Sequence, residues 1–234
     1  MRHFLLFAAL LACASLAQAA APAAYTAQYE VRRNGEAMGT ATVSFSARGG
    51  GSYELRTHTV GTGGLAALAG ADIEEKSLLA WRDGRPETQS YSYRQKVAWK
   101  TKQRSIVVDA DARRIDSRDG DKSYSPPYEA GVLDRHAVNV ALMQDLASGA
   151  SGDRAFRVPQ RDRIDTQRYR VMGRETLQTA LGAQQTVRVE RVRDSADGRK
   201  TTVWFGSGQR FIPLRMLQTE SDGETVEMRI VSIL

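Results

Sequence analysis

Apolar and polar residues alternate with a period of two along most of the chain after about residue 20. In the first such stretch the apolar positions are Tyr25, Ala27, Tyr29 and Val31. Asn34-Gly35, a dipeptide typical of a two-residue hairpin turn, separates this stretch from the next one at residues 41–47. The pattern recurs to the C terminus and predicts about eleven short antiparallel strands, each with one buried face.

One segment has the period of a helix instead. Between residues 134 and 148 the apolar residues are spaced by three and four positions, Asp134 can cap the first turn, and Gly149 stands where a helix ends. Residues 63–70 can add a short helical turn. The sequence therefore predicts an all-β, mainly antiparallel domain over residues 20–234, a curved sheet or open β-barrel with one principal α-helix packed in or against it.

The first nineteen residues have the composition of an export signal. A basic start, the apolar stretch 4–12 and the small-residue motif Ala17-Gln18-Ala19 predict cleavage after Ala19 and a periplasmic location. Cys13 offers an alternative, since it follows Leu10-Leu11-Ala12 as in a bacterial lipobox and would then anchor the chain through an attached lipid. Under the first interpretation the mature chain has no cysteine, which excludes thiolate catalysis and thiolate zinc sites.

Charge and hydropathy narrow the choice of partners. The chain carries a formal charge of +6, from 33 basic and 27 acidic residues, which favours anionic partners but is not the strongly basic balance of a nucleic-acid-binding chain. Its mean hydropathy is −0.42, and after the first 21 positions it has no apolar run long enough for a transmembrane helix. We expect no nucleic acid partner and no transmembrane segment in the mature chain.

Several short motifs occur in an order that is similar to a known exported bacterial family. They are Tyr29-Glu30-Val31, Asn34-Gly35, Gly61-Thr62-Gly63-Gly64-Leu65, Leu133-Asp134, Tyr169-Arg170-Val171, Trp204-Phe205 and Asp222-Gly223. Together they resemble the family catalogued as domain of unknown function 3108, over nearly the whole mature chain. The resemblance implies a β-rich envelope protein of Gram-negative bacteria and brings no catalytic residues with it. The implied architecture is similar to that of periplasmic lipoprotein carriers, whose curved sheet holds acyl chains.

No motif for catalysis, a cofactor or a metal ion stands out. Residues 61–66 match a dinucleotide-binding pattern, but the short helical segment after them cannot supply the crossover helix that such a site needs. His58 and His136 have no partner that the sequence reveals. We predict a protein without cofactor, metal or catalysis, and keep an envelope hydrolase as a third possibility, should either histidine lie in a cleft with a carboxylate.

Two groups of side chains are candidates for ligand binding. The aromatic candidates share inward positions, and two leucines are available to close one end of a pocket: Tyr91, Tyr93, Trp99, Phe205, Leu65 and Leu68. They can line an apolar pocket for acyl chains or form a solid core. The basic candidates have one parity along a strand predicted to continue from residue 91 to 104: Lys96, Lys100, Lys102 and Arg104. They can contact anionic lipid headgroups or cell-wall polymers, or simply block pairing at a sheet edge.

These observations leave two main hypotheses about function. The first is a non-catalytic periplasmic protein that binds or carries an amphipathic envelope component such as a lipid. The alternative is a structural or protein-interaction module that docks on an envelope protein through its strand edges. The first predicts lipid that copurifies with the protein, and the second predicts an empty, solid interior and a protein partner.

Overall fold

A computed structural model describes residues 20–193 and 198–234, which form one antiparallel sheet of fourteen strands together with two α-helices. The strands are β1 (Tyr25–Arg33), β2 (Glu36–Gly49), β3 (Ser52–Gly61), β4 (Asp72–Arg82), β5 (Arg85–Val97), β6 (Lys100–Asp109), β7 (Arg114–Asp119), β8 (Lys122–Tyr124), β9 (Asp153–Gln160), β10 (Arg163–Thr179), β11 (Gly182–Val192), β12 (Lys200–Gly206), β13 (Ile212–Thr219) and β14 (Thr225–Ile233). The helices are α1 (Gly64–Leu68) and α2 (Val138–Ala147), and a 3-10 turn covers Ser207–Gln209. The expected signal peptide, its cleavage site and Cys13 lie outside the described residues.

The sheet is a meander whose first and last strands also pair. Strands that follow one another in sequence are hydrogen-bonded to each other, except β8 and β9. Because β1 pairs antiparallel with β14, β8 and β9 are the two edges of the sheet. No ladder joins these two edges within the described residues. The expected antiparallel fold with one principal helix is therefore confirmed, as an open barrel.

The prediction of one continuous strand from residue 91 to 104 is wrong. The structure has two strands there, β5 and β6, which pair with each other and put Val97 opposite Lys100. The connecting turn is Ala98-Trp99, with Ala98 at φ 52°. Neither residue is a usual hairpin-turn residue, so the alternating pattern continues through the turn without a signal.

Helix α2 fills part of the barrel. Eight of its ten residues are buried, on every side of the helix, because it has strands all around it. Its apolar side chains belong to one core cluster with the inward residues of most strands, among them Tyr29, Phe45, Val189 and Ile230.

The chain that carries α2 also covers the gap between the sheet edges. The Thr88 amide of β5 donates to the carbonyl of Val132, and the Leu133 amide donates to the carbonyl of Arg157 in β9. Asp119 of β7 forms an ion pair of 2.8 Å with Arg161, in the turn after β9. These contacts substitute for the missing ladder and keep the interior covered along this side.

Candidate functional site

The barrel has one end that α2 closes. Near the C terminus of the helix the side-chain Nε2 of Gln144 donates to the carbonyl of Gly84, and the Arg85 guanidinium contacts the Asp145 carboxylate at 2.5 Å. Gly84 and Arg85 belong to the β4–β5 turn and the start of β5. We call this the closed end. At the opposite end the helix stops short of the strand termini, and we call that the open end.

A cavity of about 440 Å³ occupies the barrel interior toward the open end. Its deeper wall is apolar and aromatic and includes Tyr25, Tyr29, Val43, Leu55 and Val203. A volume between about 300 and 1,000 Å³ with mostly apolar walls is typical of small-molecule sites. The part of the interior that α2 leaves free is therefore large enough for a ligand.

Arginines stand at the rim of this cavity. Arg191 is the second-last residue of β11, Arg193 directly follows that strand, and Arg199 directly precedes β12. Arg199 is paired with Glu220 at 2.8 Å, but neither Arg191 nor Arg193 forms an ion pair within residues 20–193 and 198–234. Partial burial and the charges of Arg191 and Arg199 lower the pKa of Arg193 below its ordinary value. Like charges crowd together here, and an anion would relieve their repulsion.

A chain of four polar side chains lies where the N-terminal end of α2 meets the cavity. The Thr57 hydroxyl lies 2.8 Å from Nε2 of His136, and Nδ1 of the same ring lies 3.0 Å from the Ser77 hydroxyl. Ser77 in turn donates to the Asp134 carboxylate at 2.8 Å. These contacts fix the residues just before α2 to β3 and β4.

Asp134 is the buried end of this chain. Its carboxylate accepts hydrogen bonds from the hydroxyl of Thr88 and from the amides of His136 and Ala137, in addition to the one from Ser77. Burial raises its pKa above the ordinary value, against the opposing effect of His136 and these hydrogen bonds. The helix expected over 134–148 begins only at Val138 and has no side-chain cap, so the expected role of Asp134 at its first turn is wrong. Its carboxylate instead holds the turn that leads into α2.

A second polar group stands beside the first, on the same side of the cavity. The Arg135 guanidinium donates to Glu75 at 3.0 Å and to the hydroxyl of Tyr91 at 2.8 Å, and it lies 4.8 Å from the ring centre of Tyr93. Burial alone would raise the pKa of Glu75, but the charges of His136 and Arg135 and two hydrogen bonds hold it below its ordinary value.

The aromatic and leucine candidates do not meet in this cavity. Phe205 is fully buried in the main core, and Tyr91 is buried in a smaller cluster with Ile106 and Ile115. Tyr93 packs at the edge of that smaller cluster. Trp99, predicted to point inward, lies instead in the β5–β6 turn and is 88% exposed; the exposed fractions of Leu65 and Leu68 are 79% and 86%.

The basic candidates lie on a hairpin instead of one strand. Lys96 is the second-last residue of β5 and lies opposite Thr101, whereas Lys100 and Lys102 belong to β6. All three lysines are exposed. Arg104 is half-buried and bonded to Asp119 at 3.1 Å. The predicted single face is wrong, because the turn puts Lys96 on the opposite face of the hairpin from Lys100 and Lys102. The three lysines lie close to the turn on its two faces, while Arg104 belongs to the covered gap between the sheet edges.

Sequence reasoning missed the residues that line the cavity, although one signal pointed to them. In β11 the inward positions run Val187, Val189, Arg191, and Arg193 continues that parity. A face that changes from valine to arginine toward the end of a strand indicates that the interior becomes polar there. The partners of His136 had no such signal, because Ser77 and Thr57 are 59 and 79 residues away in sequence.

No group of three or more His, Cys, Asp or Glu side chains among the described residues is arranged to hold a metal ion. No helix in that part of the chain is both long enough and apolar enough to cross a membrane.

Comparison with known proteins places the chain in a family. The family model described as a protein of unknown function (DUF3108) matches residues 25–231, from the first strand to the last. The chain belongs to this family. No curated protein matches the sequence significantly.

A solved structure shares the architecture. The chain is similar to the crystal structure of a β-barrel-like protein of domain of unknown function DUF1849 from Brucella abortus, with a TM-score of 0.58 and 9% sequence identity. The similarity covers 92% of this chain and 98% of that chain. At this identity the likeness concerns the fold, so this DUF3108 chain has a β-barrel-like domain.

Proposed function

We propose that the protein is a non-catalytic periplasmic binding protein that holds an amphipathic anion, such as a lipid with an acidic headgroup, inside its barrel. The observation that supports this proposal most directly is the cavity of about 440 Å³. Its depth has apolar walls, and its rim has two arginines that form no ion pair with any residue of 20–193 and 198–234. An acyl chain would lie between the inward strand faces and α2. The acidic group would contact Arg191 and Arg193. The periplasmic part of the proposal rests on the signal-like residues 1–19.

The division of the cavity into an apolar depth and a cationic rim supports this ligand class. Apolar surface that leaves water on binding contributes about 25 cal/mol per Å², while a hydrogen bond to a charged group contributes about 1.5–3 kcal/mol. An uncharged chain would leave the arginine repulsion in place, and a small anion would leave the apolar wall exposed. Only a ligand with both parts satisfies both regions.

The proposal is tested by titrating the purified protein with a fluorescent fatty acid that carries its dye on the chain and keeps its carboxylate free. The double variant R191Q/R193Q should bind at least about tenfold more weakly, because each lost charged hydrogen bond is worth about a factor of ten or more. A matched control is R118Q/R174Q, since both residues are exposed and lie away from the cavity lining.

A neutral alcohol with the same hydrocarbon chain as the fatty acid distinguishes the contribution of the apolar wall to binding from that of the arginines. It should bind the wild-type protein more weakly than the acid does, and it should bind wild type and R191Q/R193Q equally. The absence of acid binding, or equal acid binding by wild type and R191Q/R193Q, would contradict the proposal.

The alternative hypotheses make different predictions in the same preparation. If the protein is a purely structural module, its cavity has no role in binding the envelope partner. Adding a fatty acid that fills the cavity would then leave that partner bound. A hydrolase would use the Thr57 hydroxyl beside His136, because that pair faces the cavity. We propose instead that the pair anchors α2, and expect a fluorophosphonate probe to label wild type no more than Thr57→Val.

A further inference from the structure

Three large apolar side chains project into solvent at the open end of the barrel. Leu65 and Leu68 belong to α1, and Trp99 belongs to the β5–β6 turn. They are 79%, 86% and 88% exposed, more than any other large apolar side chain that the structure describes. Scattered single exposures are common in soluble proteins, but three on adjacent loops form a patch.

The two loops are held together, so the patch has a defined shape. The Ala98 amide donates to the carbonyl of Ala69 at 2.6 Å, which joins the residue after Leu68 to the residue before Trp99. The α1 loop is also fixed to β2, because the amide of Gly63 donates to the carbonyl of Met38.

Glycines permit this close packing of backbone on backbone. A Cβ at Gly63 would lie 2.6 Å from the carbonyl oxygen of Ala37, and a Cβ at Gly61 would lie 2.6 Å from that of Ala66. The glycine-rich stretch 61–64 thus holds α1 against the sheet with its two leucines pointing outward.

Positive charge surrounds the patch. Lys96, Lys100 and Lys102 flank the turn that carries Trp99, and all three are exposed. None of them forms an ion pair in the part of the chain that the structure describes. Asp72 of β4 lies opposite Lys96 in the ladder, but its ion pairs are with His58 and Arg94. The charges of Lys100 and Lys102 are therefore available to an external partner, and that of Lys96 is balanced only in part by Asp72.

We propose that this surface docks on an anionic phospholipid membrane, and we call it the docking tip: Leu65, Leu68, Trp99, Lys96, Lys100 and Lys102. The leucines would enter the interfacial layer, Trp99 would lie at headgroup depth, and the lysines would contact the acidic headgroups. Because the docking tip lies at the open end, docking brings the cavity rim close to the lipid. The docking test needs no cavity ligand, so it stands or fails independently of the proposed function.

Charge and size favour a membrane over a protein as the partner. A stable protein interface buries on the order of 1,200–2,000 Å², more than three side chains on two short loops provide. A few apolar side chains with lysines beside them are, in contrast, sufficient for binding to an anionic lipid surface. Each lysine contributes roughly a factor of five in affinity.

The test is co-sedimentation of the full mature protein with vesicles. Vesicles of phosphatidylcholine containing a quarter of phosphatidylglycerol should bind the protein, and vesicles of pure phosphatidylcholine should bind it far less. Added sodium chloride should release it, since salt screens exposed charges. K96Q/K100Q/K102Q should lower the affinity on the order of a hundredfold, at about fivefold per lysine.

Two controls separate the docking tip from general charge and from misfolding. K76Q/K122Q/K200Q changes the other three lysines of the chain and should lower binding much less. The double variant L65S/L68S should bind at least about tenfold more weakly while it unfolds at the same urea concentration as wild type, because both side chains are exposed.

Tryptophan fluorescence reports whether Trp99 enters the interface. Emission should shift to shorter wavelength when anionic vesicles are added, and W99F should lose that shift, since Trp81 and Trp204 are more buried. The proposal is overturned if anionic vesicles do not bind the protein, if they bind it no better than neutral ones, or if the tip variants bind like wild type. Self-association through the tip without vesicle binding would also overturn it, in favour of a protein partner.

Discussion

Buried polar side chains carry the most specific information in this molecule. A continuous chain of hydrogen bonds joins Asp134, Ser77, His136 and Thr57, in that order. Each of these side chains has the next one in the chain as a hydrogen-bond partner. Such networks are costly when one member is removed, because the remaining groups stay buried without a partner. At this scale we expect the network to hold α2 at its depth in the barrel.

Replacing Ser77 by alanine tests that role. The substitution removes a donor to Asp134 and the group that contacts Nδ1 of His136, so it should lower the free energy of unfolding by about 1–3 kcal/mol. Urea denaturation measures the change. Ser92→Ala is the matched control, because Ser92 is exposed on β5, and it should stay within about 0.5 kcal/mol of wild type. An equal loss in both variants would show that the network is not what Ser77 contributes.

Glu75 should make the fold sensitive to acid. Its pKa lies below the ordinary value of 4.5 in the folded protein, so below about that pH the unfolded chain binds more protons and stability falls until the folded carboxylate also titrates. Glu75→Gln should be less stable at neutral pH, yet lose less stability between about pH 5 and pH 3. Denaturation series at several pH values check this, with Glu36→Gln as the exposed control. A variant with the same acid-dependent loss as wild type would contradict the assignment.

Residue-level prediction from sequence came closest where the interaction is local. Asp134 holds the turn before α2 because its partners are the amides of His136 and Ala137, two and three positions away. The environment of His136 depends on Thr57 and Ser77, which distant strands bring to it. No pattern within a short window contains that information.

Among the elements, α2 distinguishes this barrel from a simple meander. The helix has no exposed face of the usual amphipathic kind, since it is enclosed by the sheet and closes one end of the interior. Its position sets the depth of the cavity at the other end. The stability of the fold should therefore depend strongly on side chains of this one helix.

Leu142→Ala tests that dependence. Leu142 is fully buried, and truncating a buried leucine costs about 2–5 kcal/mol through lost burial and the cavity that remains. Leu68→Ala makes the same chemical change on an exposed side chain and should alter the free energy of unfolding by no more than about 0.5 kcal/mol. Thermal and urea unfolding of the two variants give the comparison. Similar small changes in both would contradict the enclosed position of α2.

Helices and strands were predicted correctly from the sequence where a local pattern marks them. Helix α2 and the short helix α1 were expected because apolar spacing and glycines mark them, and both are present. The β5–β6 hairpin was missed because Ala98-Trp99 gives no turn signal and the apolar alternation passes through it. That error placed Trp99 inside the barrel, whereas it lies at the open end.

The whole molecule is a barrel with a closed end, which α2 fills, and an open end, where the cavity lies. The fold class followed from the two-residue period, because that period reports only that each strand has one buried face. Whether the interior is filled depends on how far one helix enters the barrel, which periodicity does not report. The cavity, its arginine rim and the docking tip at the same end emerge only when the strands are assembled.

The central claim is that the interior holds an amphipathic anion. Native mass spectrometry of the protein, purified gently from the cells that produce it and followed by organic extraction, tests it most directly. The account predicts a reproducible added mass that extracts as an acidic compound with an acyl chain, and that is reduced in R191Q/R193Q but not in R118Q/R174Q. A protein that carries only its own mass, and gains none after incubation with an acidic lipid, would contradict the account.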